Sequence, residues 1–338
     1  MKEELHNSCE CWFLDVGQGT SNVILLGEGR AIVIDCGPKS SRETLELLVQ
    51  YVKTIEVLII SHNDIDHDGN VGRILNQYRK AINAIYFLRD RTPSENIAAF
   101  ALLKSPEFID DFPSPKRLEA NQAVWAENNM DLTVLYPSFM ANLESENCPN
   151  LTSGILQFKC GNHKIVYSGD TGLKVWEALS EQYRQRPLVC DVMTIPHHGG
   201  KIANTKRLVD HQKLYTDFIR PNLGIISTGS SNIYKHPLPE TIRALSELGI
   251  EVICTQMTTQ CCQDLESIRQ VPRVIPQPSR SSKNISSTQS GKSRNVACFG
   301  SVVLEVSETA EPLAKPSETR QNRSGANVSE SLTIHALR

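Results

Sequence analysis

Residues 61–70 read Ser61-His62-Asn63-Asp64-Ile65-Asp66-His67-Asp68-Gly69-Asn70, and this loop decides the fold class. Within six residues it sets two imidazoles and two carboxylates: His62, Asp64, Asp66 and His67. The apolar run in front of it, Val57-Leu58-Ile59-Ile60, is short and β-branched, as a buried strand is. Alternate residues of an extended segment point the same way, so His62, Asp64 and Asp66 can converge on one side. A strand that runs into packed imidazole and carboxylate donors is suited to holding a pair of divalent ions. Read as a plain polar loop, the same stretch would crowd like charges with no cation between them, which is costly. An N-cap accounts for Asp68 alone.

The chain has 338 residues and 40% hydrophobic content, enough for one large domain or two modest ones. Its net charge of −3 favours no class of partner. No stretch has the length and apolarity of a membrane span, and the start MKEELHNSCE lacks a signal-peptide apolar core. The ten cysteines are scattered and form no CxxC pair, so a zinc ribbon or thioredoxin-like motif is not expected. Reduced thiols, no membrane association and a cytoplasmic location are the expectations.

Periodicity and turn residues predict strands at Trp12–Leu14, Asn22–Leu26, Ala31–Ile34, Val57–Ile60 and Ile82–Leu88. Further strands are expected at Leu132–Leu135, Ile155–Lys159, Lys164–Tyr167, Val189–Ile195, Gly224–Ser227 and Glu251–Thr255. Helices are expected at Glu43–Val52, Val71–Tyr78, Leu173–Glu181, Lys206–Leu214 and Pro239–Leu248. Pro93–Ala120 reads as helix plus irregular loop. From Pro272 to Asn295 the chain is rich in Ser, Pro and Gln, and between Arg269 and Leu304 the cations Arg269, Arg273, Arg280, Lys283, Lys292 and Arg294 meet no acid. That composition predicts a disordered basic insertion. One more strand follows within 296–307, so 1–262 and 296–307 form the domain, and 308–338 reads as a flexible tail. Two halves of similar pattern suggest two sheets packed face to face with helices outside. A doubly wound parallel sheet is the alternative, and would need longer helices than the first sixty residues supply.

Polar clusters follow several of these strands, where sites on such scaffolds gather. They are Asp15-Val16-Gly17-Gln18-Gly19, Asp35-Cys36-Gly37, Ser168-Gly169-Asp170, Pro196-His197-His198-Gly199-Gly200-Lys201 and Ser227-Thr228-Gly229-Ser230-Ser231-Asn232-Ile233-Tyr234-Lys235-His236-Pro237. With the 61–70 loop, their order resembles the metallo-β-lactamase fold. More narrowly it is similar to the soluble nuclease-like domain of ComEC/Rec2 DNA-uptake proteins. The resemblance spans residues 9–260 and the strand at 298–306. It implies an αββα sandwich (two mixed sheets, helices on the outer faces), a dinuclear metal site at one edge and phosphodiester hydrolysis.

Carried over residue by residue, the resemblance implies that His62 and Asp64 bind one ion, Asp66 and His67 the other, and Asp170 bridges them. His197 or His198 matches the histidine after the bridge, with His197 placed among the ligands and His198 among the catalytic groups. Asp66, Asp170 and His236 are also assigned catalytic roles, His236 as a ligand or a donor to the substrate. The wider superfamily has a ligand histidine where this chain reads Asn150-Leu151-Thr152-Ser153, so one ion has fewer protein donors. Asp35, and more weakly Asp15, would orient ligand histidines. Lys201, Asn232, Tyr234 and Gln18 are candidate substrate contacts. His6, His163, His211 and His335 lie outside every motif and read as surface residues.

Three carboxylates against two divalent ions leave a positive surplus, which suits an anionic phosphodiester better than a neutral amide. Oxygen-rich donors move the preference from zinc towards manganese. The expectation is a metal-dependent phosphodiesterase, a nuclease acting on DNA or RNA with Mn²⁺ or Zn²⁺ and with a protein partner for targeting. A small-molecule phosphoesterase is the first alternative. It is disfavoured for a choline ester by an aromatic content of only 6% with no cage near the motifs. A non-catalytic metal-binding module is the second. The membrane channel of the uptake proteins has no counterpart here, so the resemblance carries chemistry and not a role in import.

Overall fold

Alternation along the strands sets the layers. In β1 (Ser8–Phe13), Cys9, Cys11 and Phe13 enter one apolar cluster and Trp12 another. In β3 (Arg30–Ile34), Ile32 and Ile34 go to the first cluster and Ala31 and Val33 to the second. Strands apolar on both faces are those of a sheet covered on both sides. The computed structural model describes residues 8–87, 110–144, 149–183, 187–204, 206–261, 298–307 and 332–337.

The first sheet also contains β2 (Asn22–Gly27), β4 (Thr54–Ile60), β5 (Ile85–Phe87), β6 (Lys116–Arg117), β14 (Ser301–Ser307) and β15 (Leu332–Leu337), in the order β15-β14-β1-β2-β3-β4-β5-β6. The second holds β7 (Ala123–Glu127), β8 (Met130–Tyr136), β9 (Ile155–Cys160), β10 (His163–Tyr167), β11 (Leu188–Thr194), β12 (Ile219–Ile226) and β13 (Glu251–Cys254). Its order is β13-β12-β11-β10-β9-β8-β7. Both sheets are mixed: β3-β4-β5-β6 and β10-β11-β12-β13 are parallel, and the remaining neighbours antiparallel. The doubly wound alternative is therefore set aside. Phe13, Ile32 and Ile59 of the first sheet meet Leu132, Phe158, Ile165 and Val192 of the second in the inner core. Helices Glu43–Tyr51 and Val71–Gln77 cover the outer face of one sheet through Leu48 and Ile74. Leu173–Tyr183 and Pro239–Glu247 cover the other through Trp176 and Leu245. The result is the αββα sandwich.

Four expectations need correction. The tail contains β15, paired antiparallel with β14 from Ser301↔Leu337 to Val306↔Leu332, so a strand edge there is satisfied by a segment that reads as flexible. Strand β12 begins at Ile219, not Gly224, and carries Pro221 within it. Strands β6 and β7 were not expected. His163 and His211 are buried, not surface residues; His211 Nδ1 lies 3.2 Å from Thr241 Oγ1. Most of Pro93–Ala120 and all of the basic insertion at 263–295 lie outside the described residues. Among those described, eight cysteines are in no disulfide. No described helix is long and apolar enough to cross a membrane.

Candidate metal centre

The carboxyl ends of β3, β4, β10, β11 and β12 open on the same edge of the sandwich, and the motif loops leave from there. Asp35 follows β3 with φ 59°, a left-handed backbone that is costly for aspartate and held by its surroundings. Its buried carboxylate accepts hydrogen bonds from the Ser61 amide (2.7 Å) and Ser61 Oγ (2.7 Å), and lies 2.8 Å from His67 Nδ1. A carboxylate only accepts, so the His67 proton sits on Nδ1 and the Nε2 lone pair faces outward from Asp35. His198 Nδ1 lies 2.9 Å from the Ser227 carbonyl and His197 Nδ1 2.8 Å from the Lys201 carbonyl, which fixes the same tautomer in both. Ser61 spends its hydroxyl proton on Asp35 and can then accept from His62 Nδ1 at 3.1 Å. Four imidazoles thus present an Nε2 lone pair.

These lone pairs converge on carboxylates. Asp170 Oδ1 lies 3.2 Å from His67 Nε2 and 3.6 Å from His198 Nε2, and its Oδ2 3.8 Å from His62 Nε2. Asp66 Oδ2 lies 3.2 Å from His198 Nε2. The Nε2 atoms of His62, His67 and His198 are buried and make no hydrogen bond. Unpartnered buried polar atoms are expensive, and a divalent cation satisfies lone pairs and carboxylates together. Among the described residues, two groups have donor atoms close enough to share an ion: His62, His67 and Asp170, and Asp66, His67 and His198. The residues fit divalent metal.

The electrostatics agree. Burial pulls His67 down, but Asp170 and Asp35 outweigh it and hold the imidazole well above its ordinary value, so positive charge is favoured at this point, a proton on Nε2 when no cation takes its place. Burial raises Asp170, and His198, His67 and His62 overcome it and hold the carboxylate well below the usual range. Asp66 is raised by burial, yet the His198 contact brings it down to about 2. The carboxylates are ionised acceptors at neutral pH.

Placement differs from the sequence expectation in several details. His198, not His197, joins the ligand-capable groups. Pro196–Gly199 turns through three left-handed residues, at φ 54°, 56° and 74°, which aims the His198 ring inward and leaves the half-buried His197 3.9 Å from Asp170 Oδ2. Asp64 stands at the rim, 3.5 Å from His62 Nε2, with its side chain about half exposed. Asp15 touches none of these histidines. It accepts from Gln256 Nε2 (2.7 Å) and the Gly17 amide (3.4 Å). Asn232 is a staple inside its own loop, donating to the Gly229 and His236 carbonyls and accepting from the His236 amide. Gln18 Oε1 accepts from the Gly229 amide at 3.4 Å and ties two motif loops together. Lys201 and Tyr234 are exposed at the mouth. His236 is buried beside His197, with ring centroids 5.3 Å apart, and its Nδ1 has no partner. Ser61, Ser153 and Gln256 carry no sequence signal of the part they play here. Ser153 Oγ accepts from the Asp170 amide at 3.1 Å and lies 3.3 Å from His62 Nδ1, where the wider superfamily has a histidine.

Two mixed sheets with this ligand cluster at their common edge define the metallo-β-lactamase fold, and the chain has it. The sequence model of the metallo-beta-lactamase superfamily matches residues 15–86, which hold Asp35, His62, Asp66 and His67. The chain is 26% identical over 247 residues to competence protein ComA of Neisseria gonorrhoeae, covering 72% of this chain and 30% of that one. It is 27% identical over 231 residues to recombination protein 2 of Haemophilus influenzae, covering 66% and 25% respectively. It therefore spans less than a third of the length of these curated relatives. Among solved structures it is similar to the metallo-beta-lactamase fold protein YhfI from Bacillus subtilis. That match has 14% identity and a TM-score of 0.47, covering 73% of this chain and 96% of that one.

Proposed function

We propose that the chain is a divalent-metal-dependent phosphodiesterase that acts on nucleic acid. The observation that carries this reading is the convergence of the unpartnered Nε2 atoms of His62, His67 and His198 on Asp170 and Asp66. His62, His67, Asp66, Asp170 and His198 would hold the metal, with Asp64 available at the rim. Divalent ions held there would lower the pKa of water and offset charge on the attacking and leaving oxygens.

The chain's own groups do the rest. Asp35, Ser61 and the Ser227 carbonyl fix the imidazole tautomers, so no reorganisation is needed to present lone pairs. Burial, then His197 and His198, depress His236 to about 4, so it is neutral at physiological pH. As a neutral imidazole it can donate one hydrogen bond to a phosphodiester oxygen at no cost in charge. Exposed Lys201, Lys206 and Lys235 bring positive charge to the same mouth. The relatives are named for competence and for recombination, both concerned with DNA, which supports nucleic acid over a small phosphoester.

The test is a panel: metal-reconstituted protein with single- and double-stranded DNA, RNA, cyclic nucleotides and a choline phosphoester. Hydrolysis of a nucleic acid supports the reading. Turnover confined to a small phosphoester would replace it with the small-molecule alternative.

A further inference from the structure

The loop that carries His236 exposes two large apolar side chains in succession, Ile233 at 82% and Tyr234 at 61%. Loose loops do this at random, but this loop is pinned. Asn232 donates to the Gly229 carbonyl (2.6 Å) and the His236 carbonyl (2.8 Å), and accepts from the His236 amide (2.7 Å). The Ser230 amide donates to Gln256 Oε1 at 2.8 Å. The exposure of Tyr234 is therefore a held conformation. Its ring stacks on His236, with centroids 5.6 Å apart and planes 28° from parallel. His236 meets the edge of His197 at 5.3 Å, and His197 Nε2 is 3.9 Å from Asp170. A ladder of rings thus runs from the candidate metal centre to the surface and ends in an aromatic face open to water. Lys235, exposed, is the neighbour of Tyr234, and Lys201 is exposed at the same mouth. Aromatic faces beside cations are how proteins hold unpaired nucleotides, the ring taking the base and the cation the phosphate.

We propose that Tyr234 is the stacking platform for an unpaired nucleobase next to the scissile phosphodiester, which makes the substrate class single-stranded nucleic acid. This rests on the phosphodiesterase reading above and names its substrate. A base inside a duplex already stacks on both faces and cannot reach the ring unless it is unpaired and splayed. Ile233 would pack beside the same base.

The experiment compares a labelled oligothymidylate with the same oligomer carrying abasic residues, so that charge is constant and only the bases differ. Binding is measured in chelator, where hydrolysis does not interfere, and cleavage with manganese. The native chain should bind the base-containing oligomer roughly 5–150-fold more tightly than the abasic one, the range expected for stacking of one base. Tyr234→Ala should abolish that preference by weakening only the base-containing oligomer, and Tyr234→Phe and Tyr234→Trp should keep it. A native chain without preference, or an alanine variant that retains it, overturns the platform. If cleavage proceeds without base preference, the platform falls and the phosphodiesterase reading stands. If Tyr234-dependent preference is seen but nothing is cleaved, the catalytic reading falls and the base-binding surface stands.

Discussion

Replacing Asp35 by Asn alters one atom at the position that sets the His67 tautomer. The native carboxylate accepts from the Ser61 amide, from Ser61 Oγ and from His67 Nδ1, all at 2.7–2.8 Å and all buried. In Asp35→Asn the amide oxygen keeps the Ser61 amide, and an NH₂ donor then faces His67 Nδ1. That imidazole must move its proton to Nε2, the atom 3.2 Å from Asp170 that would bind metal. Losing an orienting acceptor of this kind costs about 10–100-fold in metal affinity, or roughly 1.4–2.7 kcal/mol. Stability should change less, because two of the three bonds can be remade. Asp35→Ala separates the effects: it leaves three buried donors without acceptors at about 1–3 kcal/mol each, and the fold itself should suffer. Competition with a chromogenic chelator gives the affinity, and thermal unfolding of the metal-free proteins gives the stability. A folded Asp35→Asn variant that binds metal within twofold of the native chain would refute the tautomer argument.

His198→Ala should lose bound metal and slow hydrolysis by about a thousandfold or more, several kcal/mol of transition-state stabilisation, whereas His197→Ala should keep its metal. Elemental analysis of both decides, and the reverse result would restore His197 as the ligand. Burial raises the Asp15 carboxyl to about 7, against the Gln256 bond that lowers it. The folded state therefore keeps a proton that the unfolded chain releases. Stability should fall as pH rises from about 4 to 7, by at most about 4 kcal/mol. Asp15→Asn should flatten that slope in denaturant titrations, and an unchanged slope would contradict the assignment. The Cys261 thiol is held at about 5, first by a hydrogen bond involving Cys298 and, against burial, by the Thr258 amide at 3.1 Å. Its alkylation rate should be flat from pH 6 to 8. Cys298→Ser should restore a rise towards the ordinary thiol range; a native rate that climbs tenfold per unit would exclude the thiolate.

The parts of this site legible in sequence are those whose signal is local. Strand β4 ends in the unbroken apolar run Val57–Ile60, and the donors that follow it are packed into one loop, so strand end, turn and ligand set are written within residues 57–67. The order of the motif loops is legible for the same reason. What was not legible depends on tertiary pairing. Pro221 and Asn222 argue locally against a central strand, yet β12 pairs with β11 through Pro221 itself, opposite Cys190. The strand Leu332–Leu337 is too short and too polar at its flanks to stand out, and forms because β14 offers it an edge. Ser153 has no motif around it and becomes important only because β9 starts beside Asp170 and His62. His163 and His211 lie outside every motif, and tertiary packing buries them. The choice between His197 and His198 is a matter of backbone handedness over three residues, which no spacing rule encodes. Asn232 looks like a substrate contact in a polar loop, but the loop's own carbonyls use up its amide.

The central claim is tested most directly by stripping the chain with chelator and titrating manganese back while following cleavage of a labelled single-stranded oligonucleotide, with Asp170→Asn alongside. The account predicts no cleavage without metal, a rise that saturates as about two ions bind per chain, and no cleavage by the variant at any loading. Cleavage that survives chelation, or an Asp170→Asn chain that cuts as fast as the native one, would contradict it.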